Sequence, residues 1–330
     1  MGGLEQVTYD SKEKILYGIS EAGFITLIDY INGIEQPPQL DIVLTGEGKT
    51  IYTDVFVCSE QGVLFASFKD DPNRGNIAVY KAATRDADNV TVVAPELLHT
   101  VEVGYGPDMI LSNKDCTILA VANEGEGVYL EEQQFLLNRE GSVSLIKEPF
   151  LDASTPPTVV NIEFPWTDDE LLEKGIHLPL SEKALEYWDD HSDIADDLNF
   201  SLARAMYKAS SQLEPEYVAW SANEKYLLVG LQENSALVKI NMETEECDGI
   251  YSFGLKSWED TPIDIVEDDG CSNMPKVPGL FSVRSPDSID SHIVGDDTYI
   301  IIAEEVRSAI YVFMKKLLQC NSITFALCLV

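Results

Sequence analysis

The sequence is short of basic residues, with 22 Lys and Arg against 57 Asp and Glu in 330 residues, which gives a formal net charge of −35 at pH 7. A field of this sign repels phosphate backbones and anionic lipid and concentrates cations. Nucleic acid is therefore the least expected partner. The chain also has no apolar run near the roughly 20 residues that cross a bilayer. We predict a globular protein without a transmembrane segment.

The motifs of common enzymes and zinc sites are missing as well. There is no GxSxG nucleophile motif and no HExxH pair, and the six cysteines show no CxxC spacing. The four histidines stand alone in the sequence, at His99, His177, His191 and His292. Nucleophilic catalysis and a zinc site thus have no support, and the sequence leaves any disulfide pairing open. We do not expect an enzyme.

A short β-rich unit recurs at least five times along the chain. Each copy has an acid near a turn, a short strand, a polar turn, a second apolar strand ending in an acid or amide, and a third strand. The copies begin near residues 4, 53, 106, 214 and 285. The strands are β-branched, aromatic and often apolar on both faces, as expected of sheets stacked between neighbours.

These repeats predict an all-β fold, a β-propeller of four-stranded YVTN/WD40-like blades over residues 1–310. A solenoid or a β-sandwich is the alternative. At about 45 to 55 residues per blade, the chain provides five to six blades, fewer than a seven-bladed ring requires. The chain begins inside a blade, and residues 311–330 form an atypical tail. We therefore expect it to be truncated.

One region does not follow the β pattern. Residues 165–212 predict a small helical insertion, because Thr167 to Glu170 resembles a capping box ahead of two leucines. The segment between Glu163 and Asp197 is strongly acidic. It is interpreted either as a cation-attracting arm or as a solvated loop.

The repeats also carry specific motifs. The third copy contains GPDM at 106–109, VANEGE at 121–126 and EGSVS at 140–144, and the fourth contains LEPEYVA at 213–219 and LQENSAL at 231–237. With these motifs the chain resembles the choice-of-anchor I family from about residue 4 to 307. That family includes the mesenchyme-specific cell-surface glycoproteins of biomineralising animals and many bacterial secreted relatives. Residues 303–306 depart from the family's second ANEGD motif.

The resemblance implies a secreted or surface-anchored propeller, associated in some animals with calcium carbonate skeletons. The start of the chain has no signal-peptide features, so without the resemblance the sequence would be interpreted as cytosolic. Two sequons, at Asn89 and Asn199, are compatible with secretion and are the predicted glycosylation sites.

Acids and amides occupy matching positions in the third and fourth copies. They follow apolar strands, so they are expected to converge at one mouth of the central channel, where oxygen donors hold Ca²⁺. The predicted ligands are Asp108, Asn123, Glu124, Glu126, Glu216, Glu233 and Asn234. The alternative is that these are strand-end and turn residues whose carboxylates cap backbone N–H groups.

A second acidic segment ends at a glycine and resembles the family's DxSDRDG loop. Its predicted ligands are Asp264, Glu267, Asp268 and Asp269, ahead of Gly270. Alternating acids before a glycine are typical of calcium loops, although the spacing is not that of an EF-hand. The alternative is a solvated acidic loop.

Two functions follow from these observations. The first is an extracellular or cell-surface glycoprotein that binds calcium, calcium mineral or matrix proteins, with a role in biomineralisation. The second is a calcium-dependent hydrolase, similar to a phosphatase or lactonase, acting at the channel mouth. The physiological ligand, the mode of anchoring and the oligomeric state stay open.

Overall fold

The computed structural model describes residues 4–20, 24–29, 51–86, 91–130, 135–137, 139–178, 209–262, 276, 278–294 and 297–304. Within them the protein is all-β, with twenty-three strands, one short α-helix and one 3-10 helix. Several predicted features lie outside the described residues, namely Asn89, Asn199, Asp264, Glu267, Asp268, Asp269, Gly270 and the tail 311–330.

The first two sheets are antiparallel and follow chain order. The first contains β1 (Leu4–Asp10), β2 (Ile15–Ser20) and β3 (Phe24–Asp29). The second contains β4 (Ile51–Cys58), β5 (Val63–Lys69), β6 (Asn76–Lys81) and, after the small ribbon of β7 (Thr84–Arg85) and β8 (Val92–Val93), β9 (Glu96–Glu102).

The third and fourth sheets have four strands each. The third contains β10 (Pro107–Ser112), β11 (Ile118–Asn123) and, after the ribbon of β12 (Val128–Leu130) and β13 (Phe135–Leu137), β14 (Ser142–Lys147) and β15 (Thr158–Glu163). The fourth contains β16 (Pro215–Trp220), β17 (Tyr226–Leu231), β18 (Ala236–Asn241) and β19 (Glu246–Ser252).

The remaining strands form two pairs. A ribbon joins β20 (Leu255–Ser257) to β21 (Phe281–Val283), and the fifth sheet joins β22 (Pro286–Val294) to β23 (Asp297–Glu304). The paired strands of the described residues are antiparallel throughout. The all-β prediction is confirmed.

The core is divided into four layers, one between each pair of consecutive sheets. The second strand of a sheet is buried on both faces, as at Leu119 to Asn123 in β11. Such a strand needs apolar side chains at successive positions rather than at alternate ones. This requirement explains the continuous apolar runs in the sequence.

The first strands of the five sheets lie side by side in chain order, β1 beside β4, β4 beside β10, β10 beside β16 and β16 beside β22. Hydrogen bonds join them across the sheets. The Asp54 carboxylate accepts the Ile110 N–H at 2.9 Å, and the Trp220 indole N–H donates to the Leu111 carbonyl at 3.1 Å. The first strands thus form one continuous row across the five sheets.

Each first strand has a bulge near its start. The register shifts lie between Leu4 and Gln6, Tyr52 and Asp54, Pro107 and Ile110, Pro215 and Tyr217, and Pro286 and Ser288. A bulge leaves a residue out of the ladder and redirects its side chain. In the last three sheets an acid occupies the unpaired position, at Asp108, Glu216 and Asp287.

The predicted insertion contains helix α1 (Asp168–Glu173) and a 3-10 helix (Ala209–Gln212), while 179–208 lie outside the described residues. Thr167 is the N-cap, and its hydroxyl accepts the Glu170 N–H while the Glu170 carboxylate accepts the Thr167 N–H. The predicted capping box is confirmed. Among the described residues, no helix has the length and apolar character to cross a membrane.

One disulfide crosslinks the second and third sheets. It joins Cys58, at the end of β4, to Cys116, in the turn between β10 and β11, with the two Cα atoms 6.2 Å apart. Cys247 is a free thiol. The other three cysteines lie outside the described residues. Sequence alone left this pairing open because the spacing of the cysteines follows no known motif.

Candidate functional site

The starts of the first strands and the ends of the second strands bring charged side chains to one end of the sheets. We call this end the acidic mouth and define it by Lys69, Asp108, Glu124, Glu126, Glu214, Glu233 and Asp287, which are linked by electrostatic interaction. At its centre, the Lys69 ammonium lies 3.0 Å from Glu124 Oε2 and 3.6 Å from Glu126 Oε2. The Lys69 ammonium thus interacts with the carboxylates of Asp108, Glu124 and Glu126, and the other three acids interact with these carboxylates.

A tight turn after β11 positions the two glutamates. Gly125 lies between them with φ +68°, and a Cβ at this position would come within 2.7 Å of the backbone of Glu140 and Gly141. The Glu124 N–H donates to the Gly106 carbonyl at 2.8 Å. Only glycine fits this turn. The sequence EGE therefore places one carboxylate on each side of the glycine.

Arg139 supports the same turn from below. Its side chain is 3% exposed, forms an ion pair with Asp71, and donates to the Glu126 carbonyl from Nε at 3.2 Å and from Nη2 at 2.7 Å. The ring of Tyr105 lies 5.6 Å from the guanidinium carbon. The backbone of Glu126 is therefore fixed, whereas its side chain is 61% exposed.

Burial and mutual repulsion change the acidity of this mouth. Burial, and then the neighbouring Glu124 carboxylate, raise the pKa of Asp108 to about 7, while Lys69 opposes the shift. Burial also raises the pKa of Glu124, again opposed by Lys69. Burial together with Glu124 and Glu233 raises the pKa of Glu214 to about 8. Part of the mouth is therefore protonated near neutral pH.

At Lys69, unlike at the carboxylates, the balance of burial and neighbouring charge favours the charged form. Its burial favours the neutral amine, but the carboxylates of Glu124, Asp108 and Glu126 outweigh burial and raise the pKa of Lys69. It therefore remains an ammonium at physiological pH. Sequence reasoning missed this residue, because it ends β5 of the preceding sheet and no motif links it to the glutamates.

The two predicted amide ligands are committed to internal hydrogen bonds. Asn123 is fully buried, its Oδ1 accepts the Gly104 N–H at 3.1 Å, and its Nδ2 donates to the hydroxyls of Ser142 and Ser144. Asn234 is also fully buried. Its Oδ1 accepts the Glu214 N–H at 3.0 Å, and its Nδ2 donates to the carbonyls of His177 and Gln212. Both amide side chains therefore bond to groups inside the fold.

The predicted acids are distributed unequally. Asp108, Glu124 and Glu126 come together around Lys69. Glu233 interacts with Glu124 and Glu214 from the fourth sheet, and Glu216 lies in the bulge of β16 beside Tyr217. In the part of the chain that the structure describes, no group of three or more His, Cys, Asp or Glu has the geometry of a metal site. Lys69 is the cation that the described residues place between Glu124 and Glu126.

Glu214 and Asp54 were not among the predicted ligands. Glu214 stands in the same LEPEY motif as Glu216, so the motif itself was the available signal. Asp54 is 9% exposed, and burial raises its pKa to about 7, although the N–H groups of Val55 and Ile110 bond to its carboxylate. Asp54 thus joins the second and third sheets.

Fold and site together define an all-β repeat protein with an acidic mouth at one end of its first strands. A profile of the choice-of-anchor I domain matches residues 5–317, and the chain belongs to this family. Family membership indicates a surface-associated or secreted protein. No match is found among curated proteins.

Two solved structures are similar at low identity. Hydrazine synthase of Kuenenia stuttgartiensis is 14% identical with a TM-score of 0.38, over 72% of this chain and 52% of that one. A putative 6-phosphogluconolactonase of Bacteroides fragilis is 16% identical with a TM-score of 0.34, over 48% of this chain and 38% of that one. The chain therefore spans about half of the first structure's length and less of the second.

Proposed function

We propose that this chain is an extracellular or cell-surface protein with a β-propeller fold whose acidic mouth binds Ca²⁺. The propeller is supported by the sheet arrangement. Consecutive meander sheets place their first strands side by side, with one core layer between each pair of sheets. Blades arranged around a channel have this order.

The calcium proposal depends on one observation, the excess of carboxylates around Lys69. Its ammonium contacts Glu124 and Glu126, while Asp108 and Glu214 carry raised pKa values because burial and neighbouring carboxylates disfavour their charged forms. A divalent cation would reduce this repulsion. Carboxylate oxygens coordinate Ca²⁺ at roughly 2.3–2.6 Å. In this proposal Ca²⁺ and the Lys69 ammonium compete for the same carboxylates.

This competition makes Lys69→Met the decisive variant. If Ca²⁺ binds here, removing the resident ammonium increases the stabilisation produced by Ca²⁺, which is about 2.7 kcal/mol at 100 times Kd. The measurement is thermal unfolding in CaCl₂, MgCl₂ and NaCl at matched ionic strength. Magnesium is expected to stabilise less, since it requires a smaller octahedral shell.

Two further variants control this experiment. Lys114→Met removes an ammonium that bonds to the Ala222 carbonyl at the opposite end of the first strands, so it is expected to leave the calcium response unchanged. Adding Glu124→Gln to Lys69→Met is expected to abolish the increase in stabilisation by Ca²⁺. The proposal fails if NaCl reproduces the calcium shift or if Lys69→Met responds no more than the wild type.

The wider role that we propose is adhesion to calcium mineral or to matrix proteins, with glycans at Asn89 and Asn199 and a role in biomineralisation. It is supported by the net charge of −35 and by the family. Adsorption to calcite is the direct assay. Adsorption that persists in the Glu124→Gln, Glu126→Gln double variant would show that the acidic mouth is not the mineral-binding surface.

A calcium-dependent hydrolase is the second candidate. The observation that favours it is the pKa of about 7 at Asp108 and about 8 at Glu214, since groups that titrate near the working pH can transfer protons. Phosphoesters and lactones with added calcium are the substrates to screen. Turnover that is lost in Glu124→Gln would favour the enzyme over the binding protein.

A further inference from the structure

A pocket of about 540 Å³ lies at the opposite end of the first strands from the acidic mouth. We call it the far pocket. The ends of β4, β10, β16 and part of β22 form it, together with the turns that follow the first three of these strands. Small-molecule sites commonly measure about 300–1,000 Å³. The far pocket therefore has the size of a ligand site.

Its walls are largely apolar. Phe56, Met109, Leu111, Trp220 and Ile289 contribute one or two side chains from each of the four first strands. Two aromatic rings in one cavity offer apolar area together with faces that attract cations. An aliphatic stem of a ligand would be shielded from water here.

The far pocket is held by bonds between sheets. The Cys58–Cys116 disulfide lines it and joins β4 to the β10–β11 turn. The Trp220 indole N–H is fixed by the Leu111 carbonyl at 3.1 Å. The Ser291 hydroxyl donates to the Trp220 carbonyl at 2.7 Å. A cavity held by a crosslink and side-chain bonds loses little entropy when a ligand enters.

The polar groups of the far pocket carry an excess of negative charge. Three carboxylates line it, from Glu60, Glu224 and Asp290, against one ammonium from Lys114. The Lys114 ammonium donates to the Ala222 carbonyl at 2.8 Å, and the Glu224 carboxylate accepts the Lys114 backbone N–H at 2.7 Å. Within the described ranges, none of the three carboxylates forms an ion pair with Lys or Arg.

We propose that the far pocket binds an alkylammonium group on an aliphatic stem. The stem would pack against Phe56, Leu111 and Trp220, and the ammonium would bind the carboxylates of Glu224 and Asp290. An anion would be repelled by these carboxylates, and a neutral alcohol would forgo the charge interaction. The same chemistry is available from a free alkylamine and from a lysine side chain of a partner protein.

Isothermal titration with three six-carbon probes tests the chemistry. Hexylamine is expected to bind at least tenfold more tightly than 1-hexanol, and hexanoate is expected not to bind. N-acetyl-lysine-N-methylamide and a lysine-containing pentapeptide distinguish the two sources, because tighter binding of the peptide indicates a protein partner. The proposal is overturned if hexanol binds as well as hexylamine or if no amine binds.

Substitutions test whether the carboxylates of the far pocket bind the amine. Asp290→Asn with Glu224→Gln keeps the acceptor for the Lys114 N–H and is expected to weaken hexylamine binding about tenfold or more. A thermal melt of each variant confirms that it folds. Glu124→Gln at the acidic mouth is the matched control and is expected to leave hexylamine binding unchanged. If Glu124→Gln removes binding, the amine occupies the acidic mouth and the far-pocket proposal is wrong.

Discussion

The two ends of the same first strands have different chemistry. At the acidic mouth, bulges take residues such as Asp108 out of the ladder, and three carboxylates interact with the Lys69 ammonium. At the far pocket the same strands end in turns, and Trp220 and Leu111 form an apolar wall. The two ends of the same strands therefore differ in chemistry, so position along a strand matters more than which strand it is.

The difference also concerns how each end is held. Buried charges and amides organise the acidic mouth, as at Arg139 and Asn234. A disulfide and an indole hydrogen bond organise the far pocket. Removing one partner of a buried polar pair costs the protein much stability, whereas removing an exposed turn contact costs it little. Variants at the two ends are therefore expected to differ in the kind of effect as well as in its size.

The largest effect is expected at the far pocket, from removing its crosslink. Cys58→Ala with Cys116→Ala releases a loop of sequence separation 58. The chain-entropy argument gives a loss of about 4 kcal/mol in the free energy of unfolding. Urea unfolding without reductant measures it. Dithiothreitol should lower the wild type towards the double variant and leave the variant unchanged, and a loss below about 1 kcal/mol would show that this end does not depend on its crosslink.

At the acidic mouth, Arg139→Met is expected to cost about 3 kcal/mol, because it breaks a buried ion pair and removes the donors to the Glu126 carbonyl. Urea unfolding at pH 7 is the measurement. Lys114→Met is the matched variant at the other end and should cost about 0.5–1 kcal/mol, since its exposed ammonium makes one hydrogen bond to a carbonyl. Equal losses would remove the distinction between the two ends.

A smaller loss, about 2 kcal/mol, is expected for Asn234→Ala, which leaves the Glu214 N–H and the His177 and Gln212 carbonyls without this partner. Asn223→Ala, in the exposed turn near the far pocket, serves as the comparison and should cost less. Calcium titration of both variants is informative. If Asn234→Ala abolished a calcium response while remaining folded, the amide would be a ligand rather than a structural group.

The smallest effect concerns pH. The pKa of Glu214 rises from 4.5 to about 8 on folding, mainly through burial, so between these values the native state binds more protons than the unfolded state. The free energy of unfolding therefore decreases as pH rises through this window. Glu214→Gln removes this titration and should retain about 1 kcal/mol more stability between pH 5 and 8, after allowance for screening.

Urea unfolding at pH 5, 6, 7 and 8 measures this slope. Glu60 is an exposed acid near the far pocket. Glu60→Gln is the control and should show the same slope as the wild type. An unchanged slope in Glu214→Gln would show that the Glu214 carboxylate is not disfavoured at the acidic mouth. Asp54 and Asp108 retain a slope of the same sign, because burial raises the pKa of each to about 7.

Much of the fold was predictable from local pattern. The third copy was predicted to begin near residue 106, and its first strand, β10, begins at Pro107. The fourth strands were not located individually. In β9 most side chains are exposed or half-buried, so the apolar run that marks a buried strand is weak there.

The candidate site was predictable only in part. The EGE turn identified Glu124 and Glu126, because the glycine and the flanking acids are adjacent in sequence. Lys69 comes from the neighbouring sheet, and Arg139 acts through the Glu126 carbonyl, so neither was visible in a motif. Asn123 had the residue type of a calcium ligand, but its direction depends on Gly104, Ser142 and Ser144.

By itself the sequence determined the all-β class, the repeat, the strongly acidic character and the capping box at Thr167, because each depends on residue type and spacing within one segment. Tertiary structure decided which charges meet. The placement of Lys69 among the acids, the Cys58–Cys116 crosslink and the two ends of the first strands arise from contacts between sheets. Burial and electrostatic coupling depend on distances that exist only once those sheets have packed.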